Sequence, residues 1–181
     1  KSGHGAMPHT TIDTVLITAK LIEAYQSIVS RNVSPLDNAV LTFGKIEGGS
    51  ARNIIAETVR IEGTCRTFSK DLAKLMRERM ESIHAGFEKA FGVEITSDFR
   101  PMYPPVVNSS KLYERFRNAT KDFEYVELEP VMLAEDFAYY QEAVEGLFFF
   151  LGVKNENLGY TNPLHNCSFN FVEEVLIEGV K

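Results

Sequence analysis

Tryptophan is absent from this chain of 181 residues, and cysteine and histidine are scarce, at two and four residues. The cysteines, Cys65 and Cys167, lie far apart and in no CxxC or Cys-His pattern. Neither a disulfide framework nor a structural zinc site is implied, and a reducing, cytoplasmic setting is the expectation. Positive charge is also short. The 19 Lys and Arg against 25 Asp and Glu leave a formal net charge of -6, and the cations are scattered rather than clustered. That argues against a surface tracking phosphates, so nucleic acid is not an expected partner. No apolar run approaches the roughly 20 residues that span a bilayer, so no membrane is expected either. The longest run, GLFFFLGV at 146–153, has the length of a buried strand. An initiator methionine is missing too. The chain opens instead on KSGHGAMPH, with His4 and His9 in a Gly, Ala and Pro setting that looks more like a site than a terminus. What is present, 44% hydrophobic content, is enough at this length for a real core.

From Thr10 to about Asn32, Ile12, Leu16, Ala19, Ile22 and Val29 recur at helical spacing. Thr10 followed by Asp13 resembles a capping box, and His9 beside it suits an N-terminal capping role. AVLTFGKI at 39–46 reads as a strand, followed by a turn at Glu47-Gly48-Gly49-Ser50. Between Thr58 and Phe68 the residues alternate, with Val59, Ile61, Gly63 and Cys65 on one face. Ser69 is an expected N-cap for a helix whose apolar stripe runs from Leu72 to about Phe91, and Val93, Ile95 and Phe99 then alternate as a further strand. The order is that of a βαββαβ unit lacking its first strand, with KSGHG as that strand's tail end. Three prolines between Pro101 and Pro105 mark a boundary, placing one domain at 1–103 and a second part at 104–181. The second part reads as a helix from about Ser109 to Thr120, an extended stretch at Tyr125 to Leu128, and loop into helix at MLAEDFAYYQEAV. GLFFFLGV follows as a central strand apolar on both faces, then a loop and a last helix. Roughly 75 residues are few for an independent α/β domain, so this half looks incomplete.

Six residues could carry chemistry. His4 lies beside two glycines at a strand end, as a turn histidine or as a site histidine that substrate can approach. Asn53, in GGSARNIIA, would either close an Asx turn or hydrogen-bond a substrate carbonyl. Arg66 is a solvated arginine or a clamp for a carboxylate, which its planar fork suits. Glu135 and Asp136 form an acidic pair in an apolar frame, MLAEDFAYY, as a helix cap or a pocket. His165, in PLHNCSF, sits on a loop between a buried strand and a helix, where α/β sheets place ligands. One histidine alone cannot hold a catalytic zinc, which needs about three protein ligands.

GHGAMPH, KIEGGSARNIIAETVRIEGTCRTF, EDFAYY, FFFLGV and PLHNCSFNF, in that order, resemble the metal-dependent amidohydrolases that cleave N-acyl amino acids, of the hippurate hydrolase, N-acetyldiaminopimelate deacetylase, aminoacylase and auxin-conjugate hydrolase types. The resemblance covers nearly the whole chain. It implies an α/β fold with a ferredoxin-like βαββαβ lid, residues 1–103, that mediates dimerisation. Residues 104–181 would then be the C-terminal portion of a zinc-peptidase-like α/β catalytic domain. It implies that His165 is the last metal ligand and that His4 reaches the partner subunit's active site to polarise the scissile carbonyl. Asn53 and Arg66 would contact the substrate's carbonyl or carboxylate, and Glu135 and Asp136 would lie near the metal site.

The remaining ligands of a two-metal centre, a CGHDxH-like motif, a further histidine and a glutamate pair, belong upstream of Lys1. Two divalent ions (zinc, manganese, cobalt or nickel) are therefore expected in a parent enzyme, none retained by these residues alone, which should be inactive. Ala56 stands where proline is usual, Asn170 and Val172 replace acids common after the metal histidine, and Cys167 is unusual there. The rival expectation is a dimerisation or peptide-binding module without catalysis.

Overall fold

The computed structural model describes residues 1–180, which fall into two compact units. The first comprises Lys1–Val107 with Lys121–Val144; the second comprises Asn108–Thr120 and the residues from Glu145 onward. No helix among the described residues is long and apolar enough to cross a membrane.

The first unit begins with a two-residue strand β1 (Gly3–His4), a 3-10 turn (Pro8–Thr10) and helix α1 (Thr14–Asn32). The helix starts later than the Thr10 capping box predicts. Asp13 is the N-cap, its carboxylate accepting from the Leu16 N–H, while the Thr10 hydroxyl donates to the Met7 carbonyl inside the 3-10 turn. His9 lies within that turn and caps nothing. Pro8 explains the offset: it starts a tight turn that uses up Thr10 before the α-helical ladder can begin.

Strands β2 (Ala39–Gly48) and β4 (Val59–Thr67) form an antiparallel ribbon, with a register shift between Phe43 and Lys45. Phe43 faces Gly63, where a Cβ would stand 2.5 Å from the Thr42 carbonyl oxygen, so only glycine lets the strands approach there. Strand β3 (Ile54–Ile55) pairs instead with β1. Helix α2 (Lys70–Phe91) is capped as its sequence suggests, the Ser69 hydroxyl accepting from the Leu72 N–H. Helices α1 and α2 pack on each other and on the ribbon, and Leu21, Tyr25, Ile28, Leu41, Leu72 and Met76 form the core.

The strand expected at Val93 to Phe99 joins no ladder. Its alternation is nonetheless used. Ile95 packs against the core with its N–H on the Glu88 carboxylate, and Phe99 stacks on His84 under the Arg77 guanidinium. The segment follows α2 through side chains, and the observed strands form two separate two-stranded sheets, β1 with β3 and β2 with β4. The stretch Tyr125 to Leu128 likewise forms no ladder. Helix α4 (Phe137–Gln141) closes the unit.

In the second unit, α3 (Ser110–Ala119) is capped by Ser109, and α5 (Val175–Val180) closes the described chain. GLFFFLGV is not a strand among the described residues, and Phe149 and Phe150 are nearly half exposed. An extended segment needs a backbone neighbour for its N–H and C=O groups. Here the Asn108 side chain takes that place, accepting from the Phe148 N–H at 2.7 Å and donating to the Phe148 carbonyl at 2.9 Å.

Candidate functional site

Five of the six predicted residues, all but His165, lie in the first unit. The β1–β3 pairing sets His4 opposite Ile54, and the Gly5 N–H donates to the Asn53 carbonyl at 2.8 Å. A histidine and an asparagine far apart in sequence thus stand on neighbouring backbones. The His4 imidazole is exposed, and its Nδ1 accepts from the Ala6 N–H at 3.1 Å. With Nδ1 serving as acceptor, the ring proton resides on Nε2, which is left as a donor. The Asn53 amide is exposed and makes no side-chain hydrogen bond among the described residues, so no Asx turn consumes it. The turn before it requires Gly49, at φ 79°.

Arg66 and the acidic pair lie elsewhere in the same unit. The exposed Arg66 Nη1 donates to the Met132 carbonyl at 2.7 Å, which ties the strand-borne guanidinium to the segment that leads into Glu135 and Asp136. Asp136 occupies the N-cap of α4 but its side chain makes no capping bond, and Glu135 is half-buried. Neither carboxylate has an ion-pair partner among the described residues.

His165 belongs to the second unit, exposed on a turn closed by the Asn166 N–H to Pro163 carbonyl bond and by the Asn166 side chain accepting from the Ser168 N–H. Among the described residues it is the one non-glycine at positive φ, 67°. A left-handed backbone at a bulky residue is sparsely populated and concentrates at functional positions. No group of three or more histidine, cysteine or acidic side chains that could hold a metal occurs among the described residues. A lone imidazole falls short of the about three protein ligands that a catalytic zinc takes.

Two features escaped the sequence. An open cleft of about 480 Å3 runs beside the β1–β3 pair, lined by Gly5, Asp13, Gly49, Arg52 and Ile54 among others. The core also holds a titratable pair: the Tyr25 hydroxyl hydrogen-bonds the His84 Nε2, with His84 buried. Burial pushes the His84 pKa down, against smaller upward pulls from Glu88 and Glu81, and pushes that of Tyr25 up. Both groups are thus held neutral. Their sequence signal is position: Tyr25 follows Leu21 and precedes Ile28 on the buried stripe of α1, and His84 falls on the stripe of Met76 and Met80 in α2.

These units define a mixed α/β protein whose chemistry-bearing groups are paired histidine, asparagine, arginine and acidic side chains on turns and strand ends. The family follows from comparison. Residues 3–181 match Peptidase family M20/M25/M40, and the chain belongs to that family. It is 43% identical over 159 residues to the N-acetyldiaminopimelate deacetylases of Priestia megaterium and Bacillus cytotoxicus, covering 86% of this chain and 42% of each relative. The chain thus spans less than half the length of those curated relatives. Among solved structures it is similar to a protein of methicillin resistant Staphylococcus aureus described as a putative aminohydrolase, with TM-score 0.86 and 31% identity over 99% of this chain and 47% of that one. It is similar also to the Bacillus subtilis YXEP protein, a dinuclear metal binding peptidase from the M20 family, with TM-score 0.74 and 25% identity over 92% and 43%.

Proposed function

We propose that these residues are the lid and C-terminal catalytic portion, 1–103 and 104–181, of an amidohydrolase that cleaves the amide bond of N-acyl amino acids or small peptides. The observation that supports this reading is the backbone pairing that sets His4, its Nδ1 accepting from the Ala6 N–H, on the strand next to the one that Asn53 leads into. The names of the relatives, N-acetyldiaminopimelate deacetylases, and the dinuclear metal binding of the YXEP protein point the same way.

In the reaction, Nε2–H of His4, acting from the lid of a neighbouring subunit, hydrogen-bonds the carbonyl oxygen and stabilises the charge that develops on it. The Asn53 amide orients the same acyl group, and Arg66 grips the carboxylate of the amino acid moiety. Glu135 and Asp136 line the approach near the metal site, and His165 is one ligand of that site. Two divalent ions of the zinc, manganese, cobalt or nickel type, completed by residues outside this chain, would supply Lewis-acid polarisation and a water of lowered pKa. Dimerisation through the lid is supported by the β2–β4 ribbon, a sheet of two strands with an open edge on each side. The unpaired Cys65 and Cys167 suit a reducing cytoplasm.

The test is hydrolysis of a panel of N-acetyl amino acids by the full-length protein with added divalent metal, beside His4→Ala. Metal-dependent release of free amino acid is expected, with kcat falling about 10²- to 10³-fold in the variant, the scale of one lost oxyanion donor. No release from any substrate, or an unchanged kcat in His4→Ala, would overturn the reading. Residues 1–181 expressed alone should be inactive, and turnover by them at the full-length rate counts equally against it.

A further inference from the structure

Two contacts within the first unit fasten the stretch 132–142 to the junction where β4 ends and α2 begins. The Arg66 Nη1 donates to the Met132 carbonyl, and the Lys70 ammonium donates to the Glu142 carboxylate, each at 2.7 Å. Both donors come from the junction, and the two acceptors are the first and last residues of the stretch. Between them α4 is seated by the buried Ala138 and by the Tyr139 hydroxyl, which donates to the Met102 carbonyl. The stretch is a strap fastened at both ends.

The side chains of Lys70 and Glu142 are 71% and 49% exposed, so their ion pair contributes little to folding. Nor does Lys70 suit its own helix. It is the first residue of α2, where the positive end of the helix dipole disfavours a cation and favours an acid such as the adjacent Asp71. What a lysine gains at that position is the contact with Glu142. At the other end, a carbonyl fixes a guanidinium only as firmly as its own segment is held. Met132 occupies one of the five N–H donors of Arg66 and leaves others for a ligand.

We propose that Lys70 is a positioning residue that acts through the strap 132–142 on Arg66, holding the guanidinium ready for the substrate's carboxylate. This rests on the amidohydrolase reading for its substrate.

The test is the kinetics of the full-length protein, with added divalent metal, on an N-acetyl amino acid and on the same compound amidated at its carboxylate. Lys70→Glu places like charges together. KM for the acid is expected to rise about 3- to 10-fold with kcat within about twofold, the scale of an exposed ion pair lost and a repulsion put in its place. The amide is expected to be unaffected. Exchanging the charges, Lys70→Glu with Glu142→Lys, should restore KM to within about twofold, and Lys70→Glu should add nothing in an Arg66→Gln background, because coupled residues do not add. Thermal unfolding of Lys70→Glu should match the wild type, since glutamate suits the first turn of α2. An unchanged KM, an equal loss on acid and amide, an exchanged pair as poor as Lys70→Glu, or a KM rise accompanied by a lowered unfolding midpoint overturns the proposal. If the wild type cleaves neither substrate, the amidohydrolase reading falls. The strap then stands or falls on amide hydrogen exchange in α4, where exchange about threefold faster in Lys70→Glu and restored in the exchanged pair supports it, and equal exchange overturns it.

Discussion

Replacing Tyr25 with phenylalanine removes one oxygen from the centre of the first unit. The ring remains, so its stacking on Phe43 at 5.3 Å and its edge contact with His84 are kept. What disappears is the one hydrogen bond to His84 Nε2, in a residue only 7% exposed. Water cannot readily replace it, and an unsatisfied buried polar atom costs about 1–3 kcal/mol, a factor of roughly 5 to 150 in the folding equilibrium. The pair also predicts a pH dependence. Burial lowers the folded-state pKa of His84, so between that value and the unfolded value near 6.5 the unfolded chain binds more protons than the folded one. Above about pH 6.5 the His84 contribution is fully present; it is lost as pH falls from there towards the folded value. Urea unfolding followed by circular dichroism, at pH 7.5 and 5.5, measures both effects in wild type, Tyr25→Phe and His84→Leu. The expected outcomes are a loss of about 1–3 kcal/mol for Tyr25→Phe at pH 7.5 and a wild-type loss at pH 5.5 larger than that of His84→Leu. A Tyr25→Phe cost below about 0.5 kcal/mol, or the same pH difference with and without His84, would refute the reasoning.

Ser69→Ala deprives the Leu72 N–H of its acceptor and should cost about 1 kcal/mol in thermal or urea unfolding, while Ser69→Asp should not. Ile28→Ala, at a fully buried position, should cost about 2–5 kcal/mol in the same assay, well above any surface substitution. His165→Gly relieves a left-handed backbone worth roughly 1–2 kcal/mol and adds unfolded-state entropy of similar size, so its stability should stay within about 1 kcal/mol of wild type. His165→Val should be clearly less stable, and both should lose bound metal in the full-length protein by elemental analysis; a strongly destabilised His165→Gly would show that the turn depends on the imidazole. Arg66→Gln should raise KM for N-acetyl amino acids with little change in kcat, checked against a substrate amidated at its carboxylate, which should respond to neither residue.

What was legible in the chain was what neighbours in sequence decide. Helix α2 could be read almost to the residue because its Ser69 cap, its stripe from Leu72 to Phe87 and its end after Phe91 are all local signals. The ribbon strand from Val59 was legible for the same reason. Val93, Ile95 and Phe99 carry the same alternation, and here it misled. Alternation specifies an extended segment with one buried face, but it does not choose between a backbone ladder and a side-chain seat on α2. GLFFFLGV shows the other side of that ambiguity: its apolar residues call for cover, while its peptide groups find an asparagine amide instead of a strand. The same division runs through the site. His4, Asn53, Arg66, Glu135, Asp136 and His165 were legible as motif positions, since each lies in a short stretch with its own glycine, proline or aromatic frame. The Tyr25 and His84 pair, 59 residues apart, required the packing of two helices. A polar residue on an apolar stripe is the one local hint that such packing leaves, and on α2 it marks the only histidine that the proposed chemistry does not use apart from His9.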